Sequence, residues 1–178
     1  MRISEIQASE YNDFYKNYIE LVSDKYHLID GFIEGEHNTL TFFKEIPEEK
    51  LNYAYAKDKW NIKDIFQHII DTERVFQYRC FCIARRDKTQ LPGYDQDTYV
   101  KPALANTKTM EDLMDEFVTV RRSFIALLKS LSEDDLKEVG NANGYPISAR
   151  AAAFIVLGHA LWHIDIIKHR YLKENIKI

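Results

Sequence analysis

Residues 148–167 read SARAAAFIVLGHALWHIDII, and this stretch decides the fold. Ser148 is a good helix N-cap, because its hydroxyl can accept from a free amide in the first turn. From Ala151 to Ile167 apolar residues face nearly every side, and a helix apolar all round is a buried one. Its longest apolar run, Ala151–Gly158, is bounded by Arg150 and His159. That run is far short of the ~20 residues a membrane span needs. The helix, expected to run from about Ser148 to Glu174, therefore requires other helices to cover it.

The rest of the chain supplies them. Three- and four-residue apolar steps predict a first helix over Ser9–Val22 through Tyr11, Phe14, Tyr15 and Tyr18. A second is expected over Tyr26–Lys44 through Leu28, Phe32, Leu40 and Phe43, with Gly31 and Gly35 weakening it. Pro47 begins a short turn. The third helix is the clearest: Asn61 is its N-cap, Asp64 stands three residues later, and the apolar stripe ends near Arg85–Arg86, where cations suit a helix C-terminus. The fourth starts at Thr109, again with an acid, Asp112, three residues on. Ser132–Asp135 opens a short helical turn, and Asn141–Gly144 is a turn signal.

Between the third and fourth helices, residues 87–107 (DKTQLPGYDQDTYVKPALANT) show no clear period. A stretch this long exceeds the usual unstructured connection, and its aromatic residues Tyr94 and Tyr99 predict an ordered loop packed on the body. No segment alternates as a strand would. The expected architecture is all-α: a four-helix bundle with an extra N-terminal helix and a long loop between the second and third bundle helices.

Composition sets outer limits. The chain has 178 residues, with 24 Lys and Arg against 28 Asp and Glu, a formal charge of -4. That is the length of one domain, expected to span 1–178. With no basic excess to meet phosphates, nucleic acid is not the expected partner. Cys80 and Cys82 sit two apart, a spacing that suits two small buried side chains and not a disulfide. The first residues carry no continuous apolar stretch, so no signal peptide is read there and a soluble, cytoplasmic protein is expected, without a membrane partner.

Chemistry concentrates on histidine. His159 and His163 are four apart, so their rings share one face of the most apolar helix. Two adjacent buried imidazoles are costly unless both find partners, and a divalent metal takes a lone pair from each at once. His68 lies in the middle of the third helix. Three His from two facing helices can hold three corners of a metal site and leave a fourth for water or substrate. Asp71, one turn beyond His68, and Glu73 are the candidate partners for an imidazole N–H, or the candidate bases. The competing reading of both acids is a solvated face or a pair with Arg74 or Lys63. His27 and His37 fall in a polar stretch and are expected at the surface. His169, between Lys168 and Arg170, suits a helix C-terminus by charge alone.

Three stretches carry a resemblance. They are Tyr55-Ala-x-x-Lys59-Trp60-x-Ile62-Lys63-x-Ile65-x-x-His68-Ile-Ile-Asp71-x-Glu73-Arg74; then Arg79, Ala84-Arg85-x-Asp87-Lys88 and Leu91-Pro92-Gly93-Tyr94-Asp95; then Gly144-x-Pro146-x-Ser148-x-Arg150 to Gly158-His159-x-x-x-His163. In order and spacing the chain resembles the DinB-like (DinB/YfiT-like) family over about Ile19–Leu172. The resemblance implies a four-helix bundle, often a homodimer. It also implies a divalent metal, commonly nickel or zinc, on three His, and His68, His159 and His163 match those positions one by one. The superfamily includes bacillithiol transferases and mycothiol-dependent maleylpyruvate isomerases, which points to a low-molecular-weight thiol as a further cofactor.

Three readings follow. The first is a metalloenzyme acting on a small-molecule substrate, transferase-like through an activated thiol or hydrolase-like through activated water. The second is a metal store or sensor, which predicts a filled coordination sphere. The third is a helical scaffold whose His are core residues.

Overall fold

The structure is a computed structural model that describes residues 1–173. Four long helices form its frame: α2 (Leu28–Lys44), α3 (Ile62–Ala84), α5 (Met110–Lys129) and α7 (Ala149–Ile166), numbered in chain order with shorter helices between. Each packs on two others in a closed ring, α2 on α5, α5 on α3, α3 on α7 and α7 on α2. A short helix, α1 (Lys16–Leu21), lies outside the ring against α7. That extra cover explains why α7 is apolar all round: it is enclosed by three helices rather than two.

The helix starts follow the sequence. Asn61 accepts from the Asp64 amide at 2.9 Å while Asp64 accepts from the Asn61 amide at 3.3 Å, a reciprocal box that satisfies two otherwise free donors. Thr109 and Asp112 make the same box on α5, at 3.0 and 3.1 Å. Ser148 accepts from the Ala151 amide at 3.0 Å and starts α7 as expected. Beyond Ile166 the chain continues to Leu172 in the wider π winding. The expected end of this helix, Glu174, lies outside the described residues.

Gly31 and Gly35 do not interrupt α2; they let it approach its neighbours. A side chain at Gly35 would meet Arg121 Nη1 at 3.1 Å. Gly158 is stricter still. A Cβ there would fall 1.9 Å from the Tyr18 carbonyl oxygen, so the backbone of α1 crosses α7 on this glycine, one residue before His159.

Three expectations need correction. The helix predicted over Ser9–Val22 is a real α-helix only over Lys16–Leu21, preceded by single 3-10 turns at Ala8–Glu10 and Asp13–Tyr15. Two side chains break it: Asn12 accepts from the Phe14 amide at 2.9 Å and starts a new turn, and Glu10 is drawn into a buried pair with Arg150, its Oε2 at 2.7 Å from Nε. The second concerns residues 87–107, which contain a two-turn helix, α4 (Gln96–Ala103), capped by Asp95 and closed by Leu104 in the left-handed region at φ 52°. None of its residues is buried and Pro102 stands near its end, so no apolar period marked it. The third is a two-stranded antiparallel hairpin, β1 (Val139–Ala142) with β2 (Tyr145–Ser148). Asn143 and Gly144 turn it with φ of 54° and 83°. Such a turn needs positive φ at both central residues, which Asn and Gly tolerate. Four residues per strand are too few to show alternation. The expected turn after Leu131 is α6 (Glu133–Lys137), capped by Ser132.

The core has two parts. Phe32, Phe124 and Phe154 fill one end; Phe43, Phe66 and Phe117 fill the other, with Phe43 and Phe66 stacked at 3.9 Å. On α7 the first part ends at Leu157 and the second begins at Ala160. His159 falls between them. α7 with its π extension is long and apolar enough to cross a membrane by length and composition, yet 72% of its most apolar stretch is buried against this bundle.

Candidate metal centre

The four-residue step along α7 sets His159 and His163 side by side, and α3 brings His68 across from them. The three Nε2 atoms converge. His159 Nε2 stands 3.0 Å from His68 Nε2 and 3.1 Å from His163 Nε2. Two nitrogens that each sit roughly 2.0–2.1 Å from one zinc-type ion stand about 3 Å apart, so the spacing fits a shared divalent metal. Among the described residues no other His, Cys, Asp or Glu joins this cluster.

Their surroundings suit the same purpose. All three rings are buried, 5 to 7% exposed. Trp60 lies 4.8 Å from the His68 ring, Trp162 4.9 Å from His163 and Tyr18 5.4 Å from His159. Burial holds His68 down to about 4 and, with His68 beside it, His163 down to about 3. It also holds His159 well below the ordinary range, with both neighbours adding to the effect. Neutral imidazoles are the form that offers a lone pair to a metal.

The polar group next to His68 is one the sequence reading missed. His68 Nδ1 has a long contact of 3.5 Å to Thr72 Oγ1, and Thr72 bonds the Tyr94 hydroxyl at 2.6 Å. With Nε2 turned to the cluster, Nδ1 is the nitrogen left to carry the proton, and a metal-binding imidazole is commonly oriented through that other nitrogen. Thr72 follows His68 by one turn on the same face, which was the available signal. Tyr94 comes from the long connection, and only folding brings it there.

Neither candidate acid touches an imidazole. Asp71 Oδ1 accepts from Gln67 Nε2 at 3.1 Å and from Arg74 Nη1 at 3.0 Å, although Asp71 does border a small cavity beside His68 that Tyr94 and Tyr99 also line. The pair with Arg74 is the competing reading of this residue. Glu73 is corrected outright. Five residues from His68, it points to another side of α3 and is fully buried against Arg121, with Oε2 2.8 Å from Nη2 and Oε1 2.7 Å from Nε. His27 and His37 are exposed, as expected, and so is His169. Cys80 and Cys82 are buried and free, and burial pushes the Cys80 thiol up to about 12.

Asp71 belongs to a polar cluster whose anchor is Glu116. Burial raises this carboxyl, but hydrogen bonds from Lys108, Gln67 and Arg74 outweigh it and hold it at about 2. The folded value lies below the unfolded one, so its contribution to stability is complete above about 4.5 and is lost as pH falls toward about 2. Denaturation of the wild type and Glu116→Gln should therefore differ at pH 6, and the difference should shrink at pH 3.

The sequence matches the model of the DinB superfamily over residues 32–167. The chain belongs to the DinB superfamily. Among solved structures it is similar to YfiT from Bacillus subtilis, described as a probable metal-dependent hydrolase with an unusual four-helix bundle topology. The TM-score is 0.68 at 13% identity, over 95% of this chain and 90% of that one, a likeness of fold. No curated protein matches. Within this DinB bundle, the three converging nitrogens lie at the waist between the two halves of the core and are spaced so that they can hold one metal ion.

Proposed function

We propose that the protein is a metal-dependent enzyme acting on a small molecule at the three-His site, hydrolase-like or transferring a thiol group. One observation carries this reading: three neutral Nε2 atoms converge without a fourth protein ligand among the described residues. A store or sensor is better served by a closed sphere, whereas three ligands leave a position for water or substrate. His68, His159 and His163 would hold a divalent ion, whose Lewis acidity would make water or a thiol a nucleophile near neutral pH.

The protein's own groups have the remaining tasks. Thr72 and Tyr94 orient His68. Asp71, which borders the cavity beside His68, is the proposed proton acceptor. Trp60, Trp162 and Tyr18 limit water around the rings. The chain's own thiols have no part in this: Cys80 is buried and its thiol stays protonated. Any reacting thiol is therefore a cofactor or substrate. The description of YfiT supports the hydrolase form; the superfamily's thiol-dependent members support the other. A homodimer is proposed on the family's habit alone.

The test is metal content by mass spectrometry on protein purified without a polyhistidine tag. About one zinc or nickel per chain is expected, and none in His68→Ala. Metal-free wild type that takes up neither ion would refute the reading. If the metal is present, esters, amides and thiol acceptors are the substrates to screen, with Asp71→Asn expected to lower turnover and keep the metal.

A further inference from the structure

Arg79 is a buried cation with no anion. It is 3% exposed, and among the described residues no carboxylate lies within ion-pair distance of it. The two other buried arginines each have one: Arg121 has Glu73, and Arg150 has Glu10. Among the described residues Arg79 has a single hydrogen bond, from Nη2 to the Pro92 carbonyl oxygen at 2.9 Å, and its guanidinium lies 4.8 Å over the Phe76 ring. A guanidinium carries five N–H donors in a planar fork. One carbonyl and one aromatic face leave most of them without a protein partner, and the side chain is among the residues that line a cavity.

The missing partner has a place. Arg79 lines a cavity of about 500 Å³ between the N-terminal segment, the start of α4 and the hairpin. Asn12, Asn143, Tyr15, Tyr94 and Tyr145 share its wall. Asp95 and Asp97 also border it, but both are exposed, and Asp95 accepts from the Asp97 amide at the start of α4. Charges facing solvent are screened far more than a buried one. The acidic rim disfavours a dianion and leaves a single carboxylate as the group that best matches the fork.

The cavity neighbours the three-His site across one side chain. Tyr94 borders both it and the small cavity beside His68, and bonds Thr72 between them. His68, Thr72 and Arg79 lie along one face of α3, and eleven residues of helix separate His68 from Arg79 by roughly 16 Å. A small organic acid held by its carboxylate on Arg79 would extend along this face toward the histidines.

We propose that Arg79 anchors the carboxylate of a small organic-acid ligand in this cavity. That the ligand is the substrate rests on the three-His reading above; the anchor does not. The probe is benzoate, compared with uncharged benzamide, followed through the side-chain Nε–H of Arg79 by nitrogen-15 NMR in zinc-loaded and in metal-stripped protein. Benzoate is expected to shift the Arg79 Nε–H saturably in both forms, and benzamide to bind at least about tenfold more weakly, as befits loss of charged hydrogen bonds. Arg79→Gln should abolish benzoate binding. Arg79→Lys, which keeps the charge and loses the fork, should weaken it about tenfold while metal content stays at the wild-type level. Three results would overturn the proposal: an Arg79 signal that benzoate leaves in place, equal binding of benzamide, or binding confined to the zinc-loaded form, which would put the carboxylate on the metal. The comparison of the two probes on wild-type protein stands even where a variant fails to fold. A wild type that binds benzoate yet holds no metal would keep the anchor and end the metalloenzyme reading.

Discussion

His159→Ala is expected to lower zinc affinity by at least about a hundredfold, read by competition with a chelator. Losing a mere outer partner of a metal ligand typically costs 10–100-fold, so losing the ligand should reach the top of that range or exceed it. His159 is the right residue to remove because it joins the other two: its Nε2 is the one within 3.0 Å of His68 and 3.1 Å of His163. The same variant separates a metal site from a core of histidines. A ligand bound only by the folded protein adds about 2.7 kcal/mol of stability at a hundred times its Kd. Zinc should therefore raise the wild-type melting temperature and leave that of His159→Ala in place. If the histidines are only core residues, neither protein responds to zinc, and the variant is simply less stable through the cavity it opens.

The sequence disclosed what depends on periodicity and on spacing within one helix. The four long helices, the caps at Asn61, Thr109 and Ser148, and the facing pair His159 and His163 are local patterns. His68 was legible because it stands mid-helix in a strongly apolar stripe. What was not legible depends on contacts between distant parts of the chain. Nothing near Glu10 shows that it will meet Arg150, and that meeting, together with the Asn12 cap, breaks the first helix. Nothing around Tyr94 shows that its hydroxyl will reach Thr72. The hairpin and α4 were hidden for the opposite reason. They are too short, or too little buried, for a period to emerge. Glu73 is close to His68 along the chain and not in space, because five residues along a helix turn a side chain by about 140°.

The partner that Glu73 does have, Arg121, underlies the second large effect. Arg121→Met is expected to cost about 3–5 kcal/mol, measured by chemical denaturation, because it leaves the Glu73 carboxylate buried and alone. Burial already raises the Glu73 carboxyl, with Arg121 pulling against it. Arg121 is fully buried, 4.8 Å from the Phe32 ring and 5.0 Å from the Phe117 ring. The double variant Glu73→Leu/Arg121→Met should regain most of the loss, since exchanging a whole buried pair for apolar side chains of similar size is often neutral or stabilising by about 1–4 kcal/mol. It should also keep wild-type zinc affinity, because the pair faces α5 and the rings face α7. A stable double variant that has lost zinc would return Glu73 to the metal site. A double variant no more stable than Arg121→Met would mean that the pair holds α3 to α5 by its geometry, and that the charge of Glu73 is not what Arg121 is needed for.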